Sequence, residues 1–200
     1  MNLNICVFAS GSGSNFRALL EASKSNYIKS EFKLLITNNS RCGAVDIAKE
    51  FSIESFHISR KIFPDLNDSD YAKLFSDLLD KYCIDLIVLA GYMKMIELDV
   101  IRKFTNRIIN VHPALLPSFG GKGMYGMNVH KAVIKSGVKE SGVTIHLVDE
   151  VYDNGRILLQ EKVIVENNDD EFTLREKVLA LEHRYYKEVI KQIEEGKLVL

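Results

Sequence analysis

Through the first two thirds of the chain, short apolar runs alternate with segments whose apolar residues recur every three or four positions. NICVFA at 4–9, KLLIT at 33–37, a weaker SIESFHI at 52–58, DLIVLA at 85–90 and RIIN at 107–110 read as strands. Several are apolar at every position, as parallel strands covered on both faces must be. Between them, SNFRALLEASKS, CGAVDIAKEF, DSDYAKLFSDLLDKY and LDVIRKF carry the helical period. Strand–helix alternation of this kind predicts right-handed crossovers and an α/β fold with a doubly wound, mostly parallel sheet. Ligands of such a sheet sit at the carboxyl ends of its strands.

After residue 117 the pattern changes. GGKGMYGMN has four glycines in nine residues and reads as a flexible loop, and NVHKAVIKSG as a short helix ending at Gly137. SGVTIHLVDE alternates, with Val143, Ile145 and Leu147 on one face and Thr144, His146 and Val148 on the other. RILLQEKVIV pairs with it as an antiparallel strand. A long amphipathic helix is expected from Thr173 to Glu195, with Thr173 as its N-cap and Glu176 completing a capping box. There is no repeat, low-complexity tract or linker, so 1–200 is expected to form a single domain.

The formal net charge of −1, with both signs interspersed, provides no global field for nucleic acid or an anionic membrane. An anion must therefore be bound locally. Cys6, Cys42 and Cys83 are odd in number and lie in apolar contexts, which predicts buried free thiols in a reducing compartment. The N-terminus lacks a basic region, and no apolar run approaches the roughly 18 residues of a membrane span. A cytoplasmic location is expected.

Candidate chemistry concentrates in NVHPALLP at 110–117 and VDEVYDNG at 148–155. Asn110 and His112 are two residues apart at the end of an apolar run, so they project from one side of a strand. Pro113 and Pro117 then turn the chain into a shaped loop. An amide donor beside a group that can hold a proton is what acyl transfer needs to stabilise a tetrahedral oxyanion. Asp153 could keep that imidazole charged. The bland alternatives are a turn-capping asparagine, a satisfied core histidine and solvated carboxylates at Asp149, Glu150 and Asp153. The strand-end position of the pair argues for the site. His57, His130, His146 and His183 show no metal-ligand spacing and read as structural, His146 least clearly so. No metal is expected.

ASGSGSN follows the first strand and opens the first helix, where backbone amides and the helix dipole suit a phosphate. The third glycine and the acidic residue of a dinucleotide fingerprint are missing, so NAD is disfavoured, and the spacing is not that of a Walker loop.

With this loop, NVHPALLP and VDEVYDNG in that order, nearly the whole chain resembles the folate-dependent formyltransferases, in particular the phosphoribosylglycinamide formyltransferase group. The resemblance implies a Rossmann-like fold and formyl transfer from the co-substrate 10-formyltetrahydrofolate to the amine of glycinamide ribonucleotide. It assigns Asn110 and His112 to the oxyanion, and Asp153 to the carboxylate that raises the histidine's pKa and organises a proton-relaying water. Gly13, Ser14 and Asn15 match the phosphate turn and Glu182 a ribose-binding carboxylate. Met93, Lys94, Met95 and Ile96 match the pterin-reading segment of the folate pocket. Asn110 and the 149–153 loop, with Asp149 and Asp153, close that pocket. The implied partners are small molecules, on a monomer or homodimer. Lys94 departs from the arginine of some members and cannot make the same forked contact with a folate tail. The 118–130 segment is longer and richer in glycine than in many relatives, as a flap over the ribonucleotide would be. Formyl transfer to another amine, such as an amino sugar nucleotide, and a non-catalytic phosphosugar or folate-binding module are the competing readings.

Overall fold

The computed structural model describes residues 2–200. Strands β1 (Asn4–Phe8), β2 (Glu31–Thr37), β3 (Glu54–His57), β4 (Leu86–Leu89), β5 (Ile108–His112), β6 (Glu140–Leu147) and β7 (Ile157–Ile164) form one seven-stranded sheet. Their spatial order is β3-β2-β1-β4-β5-β6-β7. The first five are parallel, whereas β6 runs antiparallel to β5 and β7 antiparallel to β6. The doubly wound α/β expectation and the antiparallel C-terminal pair are both met.

Helices α1 (Ser14–Lys24), α2 (Gly43–Glu50), α3 (Asp68–Lys81), α4 (Leu98–Lys103), α5 (Met127–Ser136) and α6 (Glu171–Glu194) cover the sheet. On one face, Phe16 and Leu19 of α1, Ala44 and Ile47 of α2, and Tyr186 and Ile190 of α6 pack on Val7, Leu35, Val88 and Ile109. On the other, Tyr71, Phe75 and Leu79 of α3 and Val100 and Ile101 of α4 pack on Phe8, Ile36, Ile87 and Leu89. Alternation along each strand feeds the two layers, which is why the central strands are apolar throughout.

α6 begins earlier than the sequence suggests. Asp170, not Thr173, is its N-cap, accepting from the backbone N–H groups of Phe172 and Thr173 at 2.9 and 2.8 Å. Thr173 takes the third helical position, and its Oγ1 accepts from the backbone N–H of Asp170. A carboxylate can accept both free amides of the first turn, so it outcompetes the hydroxyl three residues on. Cys6 and Cys42 are buried, but Cys83 is exposed. It occupies the left-handed turn after α3 at φ 49, which points its thiol outward despite its apolar neighbours.

The chain leaves β1 toward β2 and returns through β3 and α3 to β4 on the opposite side of β1. The loops after β1 and β4 therefore diverge, and a crevice opens between their carboxyl ends. Tyr186 ties α6 to this region. It is fully buried, and its hydroxyl lies 2.9 Å from the carbonyl of Leu89, the last residue of β4, and 3.1 Å from that of Ile109 within β5. Tyr186→Phe keeps the packing but removes the donor from both carbonyls, and should cost about 1–2 kcal/mol. Thermal unfolding should show a Tm lower by about 2–8 °C.

Candidate active site

The switch-point crevice is part of a cavity of ≈ 640 Å³. It is lined by the loops after β1 and β4, the end of β5, the glycine-rich 121–127 segment, the 148–153 loop and one face of α6. Every site residue expected from the sequence lies on its wall: Gly13, Ser14, Asn15, Met93, Lys94, Met95, Ile96, Asn110, His112, Asp149, Asp153 and Glu182.

The polar cluster is built by register. Asn110 of β5 pairs with His146 of β6, and His112 with Thr144, so all four side chains rise from one face of two adjacent antiparallel strands. Thr144 holds the turn after β5, donating to the Ala114 carbonyl at 2.6 Å and accepting from the Leu116 N–H at 3.1 Å. The chain then passes through a cis Leu116–Pro117 peptide. His146 Nδ1 is 2.8 Å from the Leu147 carbonyl, which can only accept, so the proton of the neutral ring sits on Nδ1. Its Nε2 is then an acceptor and takes a hydrogen bond from Asn110 Nδ2 at 3.1 Å. This fixes which way the Asn110 amide faces and leaves its second N–H for the cavity.

Asp153 stands between the two imidazoles. Its Oδ2 is 3.6 Å from His112 Nδ1 and its Oδ1 3.6 Å from His146 Nε2. The carboxylate is held by the Gly121 N–H at 2.9 Å, and its own backbone is left-handed at φ 53, a conformation that Asp tolerates better than most residues. The loop reaches this position because Gly155 lies flat on the end of β6, where an added Cβ would come within 1.9 Å of the Leu147 carbonyl oxygen. His112 Nε2 is 2.9 Å from the Phe119 carbonyl. Both ring nitrogens therefore face acceptors, an arrangement that suits the imidazolium. Burial opposes it more strongly than Asp153 and Phe119 favour it, so His112 titrates below its ordinary value in the free protein. Asp153 thus acts to raise the pKa of this imidazole, against the larger opposing effect of burial.

At the other end, Gly13 opens α1 in the left-handed region at φ 79. An added Cβ would meet Ala44 Cα and Ile47 Cδ1 at 2.8 Å, so only glycine lets the loop pack on α2. Among the described residues no side chain caps this helix terminus, and no acidic residue lies in its first turn. Asn15 Nδ2 donates to Glu182 Oε2 at 2.5 Å, while its buried Oδ1 has no partner among the described residues. Burial raises the Glu182 carboxyl to about 7, against the lowering influence of Asn15 and Arg175. The loops after β1 and β4 are joined through Ser10, whose Oγ accepts from the Met93 N–H at 3.0 Å. Beyond them, exposed Met93, Met95, Tyr125, Val151 and Tyr152 rim an apolar mouth, while Ile96 is buried behind it. Such a mouth suits a flat aromatic ligand.

Two histidines read from the sequence as structural belong to this wall. His146 orients Asn110, and His130 of α5 is buried, its Nδ1 without a partner among the described residues, and its pKa is lowered to about 4, chiefly by burial. Among the described residues no group of side chains could hold a metal ion, and no helix is long and apolar enough to cross a membrane.

The uncapped start of α1, the Asn15–Glu182 pair, the cluster of Asn110, His112, His146 and Asp153, and an apolar mouth thus share one crevice. The chain belongs to the formyl transferase family, whose model matches residues 3–190. It is 46% identical over 198 residues to the chloroplastic phosphoribosylglycinamide formyltransferase of Vigna unguiculata, covering 98% of this chain and 62% of that protein. It is 34% identical over 187 residues to the phosphoribosylglycinamide formyltransferase of Bacillus subtilis, covering 94% of this chain and 92% of that one. The crystal structure of glycinamide ribonucleotide transformylase 1 from Symbiobacterium toebii is similar with a TM-score of 0.91 at 32% identity, covering 100% of this chain and 91% of the other. The chain thus spans less than two thirds of the length of the Vigna relative.

Proton NMR titration of the imidazoles should find His112 and His146 titrating below the ordinary histidine value of 6.5. Because the Asp153 carboxylate raises both, Asp153→Asn should move both titrations further down. An upward or absent shift would show that Asp153 does not act on them.

Proposed function

We propose that this chain transfers the formyl group of 10-formyltetrahydrofolate to the amine of 5′-phosphoribosylglycinamide, the formyl transfer of purine synthesis. The observation that carries this reading is the cluster of Asn110, His112, His146 and Asp153 on the cavity wall between a phosphate-type loop and an apolar cleft. The ribonucleotide phosphate would lie on the amides of Gly13, Ser14 and Asn15, with the ribose hydroxyls donating to Glu182. The pterin would enter between the 93–96 and 149–153 segments.

The neutral amine attacks the formyl carbon, and the carbonyl π electrons move onto oxygen. The free N–H of Asn110 donates to that oxyanion. His112 exchanges its hydrogen bond to Phe119 for one to the same oxygen, and the growing negative charge raises its proton affinity. The bond from carbon to N10 then breaks, the attacking nitrogen gives up one proton, and N10 receives one. Asp153, within 3.6 Å of both imidazoles, is placed to organise this relay. The reaction forms no covalent enzyme intermediate.

The purified chain should convert the two substrates to formylglycinamide ribonucleotide and tetrahydrofolate, followed by folate absorbance and mass spectrometry of the ribonucleotide. His112→Ala and Asn110→Ala should each lower kcat by about 100-fold or more while binding the ribonucleotide with nearly unchanged affinity. Binding without turnover in the unsubstituted chain would point to another formyl acceptor or to a binding module.

A further inference from the structure

Lys94, Lys122 and Arg175 bring cationic side chains to the cavity wall and take no part in these steps; of the three, Arg175 lies on the same helix as Glu182. Arg175 lies on α6 seven residues before Glu182, with Leu179 between them. Spacings of four and three place all three on one helical face, and all three line the cavity. The charge of Arg175 reaches the buried groups on either side of it, lowering the proton affinity of both His130 and Glu182. Yet it joins neither of them. Among the described residues the arginines paired with carboxylates within 4 Å are Arg17, Arg60 and Arg102. Arg175 is exposed to the cavity without such a partner.

The same cavity holds a half-built anion site. Among the described residues the N-terminus of α1 has neither a side-chain cap nor an acidic residue; Asn15 beside it, 8% exposed, gives its amide N–H to Glu182 and leaves only an acceptor, its Oδ1, without a partner. The hydrogen bond from Asn15 to Glu182 fixes this terminus against α6. Backbone amides alone supply partial charge, whereas a phosphate monoester carries nearly two negative charges near neutral pH. A guanidinium supplies the missing full charge in a fork that matches two phosphate oxygens.

We propose that Arg175 is the side-chain cation that binds the acceptor's phosphate monoester, opposite the amides of Gly13, Ser14 and Asn15. The proposal rests on the acceptor reading above and adds to it the residue that discriminates a phosphorylated acceptor from its nucleoside. Glycinamide ribonucleotide and its dephosphorylated nucleoside are compared as formyl acceptors with the unsubstituted chain, R175M and R175K. R175M should lower kcat/KM for the ribonucleotide by about 10- to 100-fold, mainly through KM, and leave the nucleoside unchanged. R175K should recover part of the loss, because lysine keeps the charge but not the fork. Equal losses for both acceptors, or no loss for either, would overturn the proposal.

Calorimetric binding of ribose 5-phosphate and of ribose to the same proteins needs no turnover. It separates failure of the proposal from failure of the formyl-transfer reading. Weaker ribose 5-phosphate binding in R175M with ribose unaffected supports the arginine's role even if no formyl transfer occurs. Unchanged ribose 5-phosphate binding overturns it.

Discussion

The Asp153 carboxylate lies within 3.6 Å of two buried imidazoles, and much of the site follows from that placement. Taking His112 and His146 out of water costs free energy, and the cost is greatest for their charged forms. A single anion between them offsets part of it for both. It can occupy that position only because the 148–155 turn is tight, with Gly155 flat on the end of β6 and Asp153 in a left-handed conformation. Its second tie, to the Gly121 N–H, brings the start of the glycine-rich segment to the same point. Phe119, two residues earlier, holds His112. One short stretch of backbone thus restrains both the imidazole and its carboxylate, so movement there changes the chemistry of both.

The sheet divides the remaining tasks along one crevice. One end is formed by α1 and α6, which pack on the same face of the sheet and meet at the hydrogen bond between Asn15 and Glu182. The apolar mouth is formed by the loop after β4 and the 148–153 loop, rimmed by exposed methionines and tyrosines. The polar cluster sits between them on β5 and β6. Two substrates entering from opposite ends would meet at Asn110 and His112. Tyr186, reaching from α6 to the carbonyls of Leu89 and Ile109, keeps the floor of the crevice in register with its wall.

Much of this was legible in the chain because it is local. Wholly apolar runs marked the central strands, the helical period marked the covering helices, and the two-residue spacing of Asn110 and His112 put both on one side of β5. What escaped local reading depends on pairing between distant segments. The register that sets His146 opposite Asn110 spans 36 residues, so a histidine on an ordinary alternating strand gave no sign that it orients the amide. His130 likewise enters the wall only because α5 packs against the turn after β5 and α6. The start of α6 was misplaced because Asp170 and Thr173 are both good caps, and a competition between two local hydrogen-bonding schemes decides between them. The lowering of the His112 pKa depends on its burial, a property of the folded chain that spacing does not reveal.

The central claim is that Asn110 and His112 are preorganised for a tetrahedral oxyanion rather than for the flat formyl group. The most direct measurement is the affinity of a folate analogue carrying a hydratable ketone in place of the formyl carbon, against the same analogue with a methylene there. The account predicts binding tighter by about 100-fold or more for the ketone, with the advantage lost in Asn110→Ala and His112→Ala. Equal affinities for the two analogues, or an advantage that survives both substitutions, would contradict it.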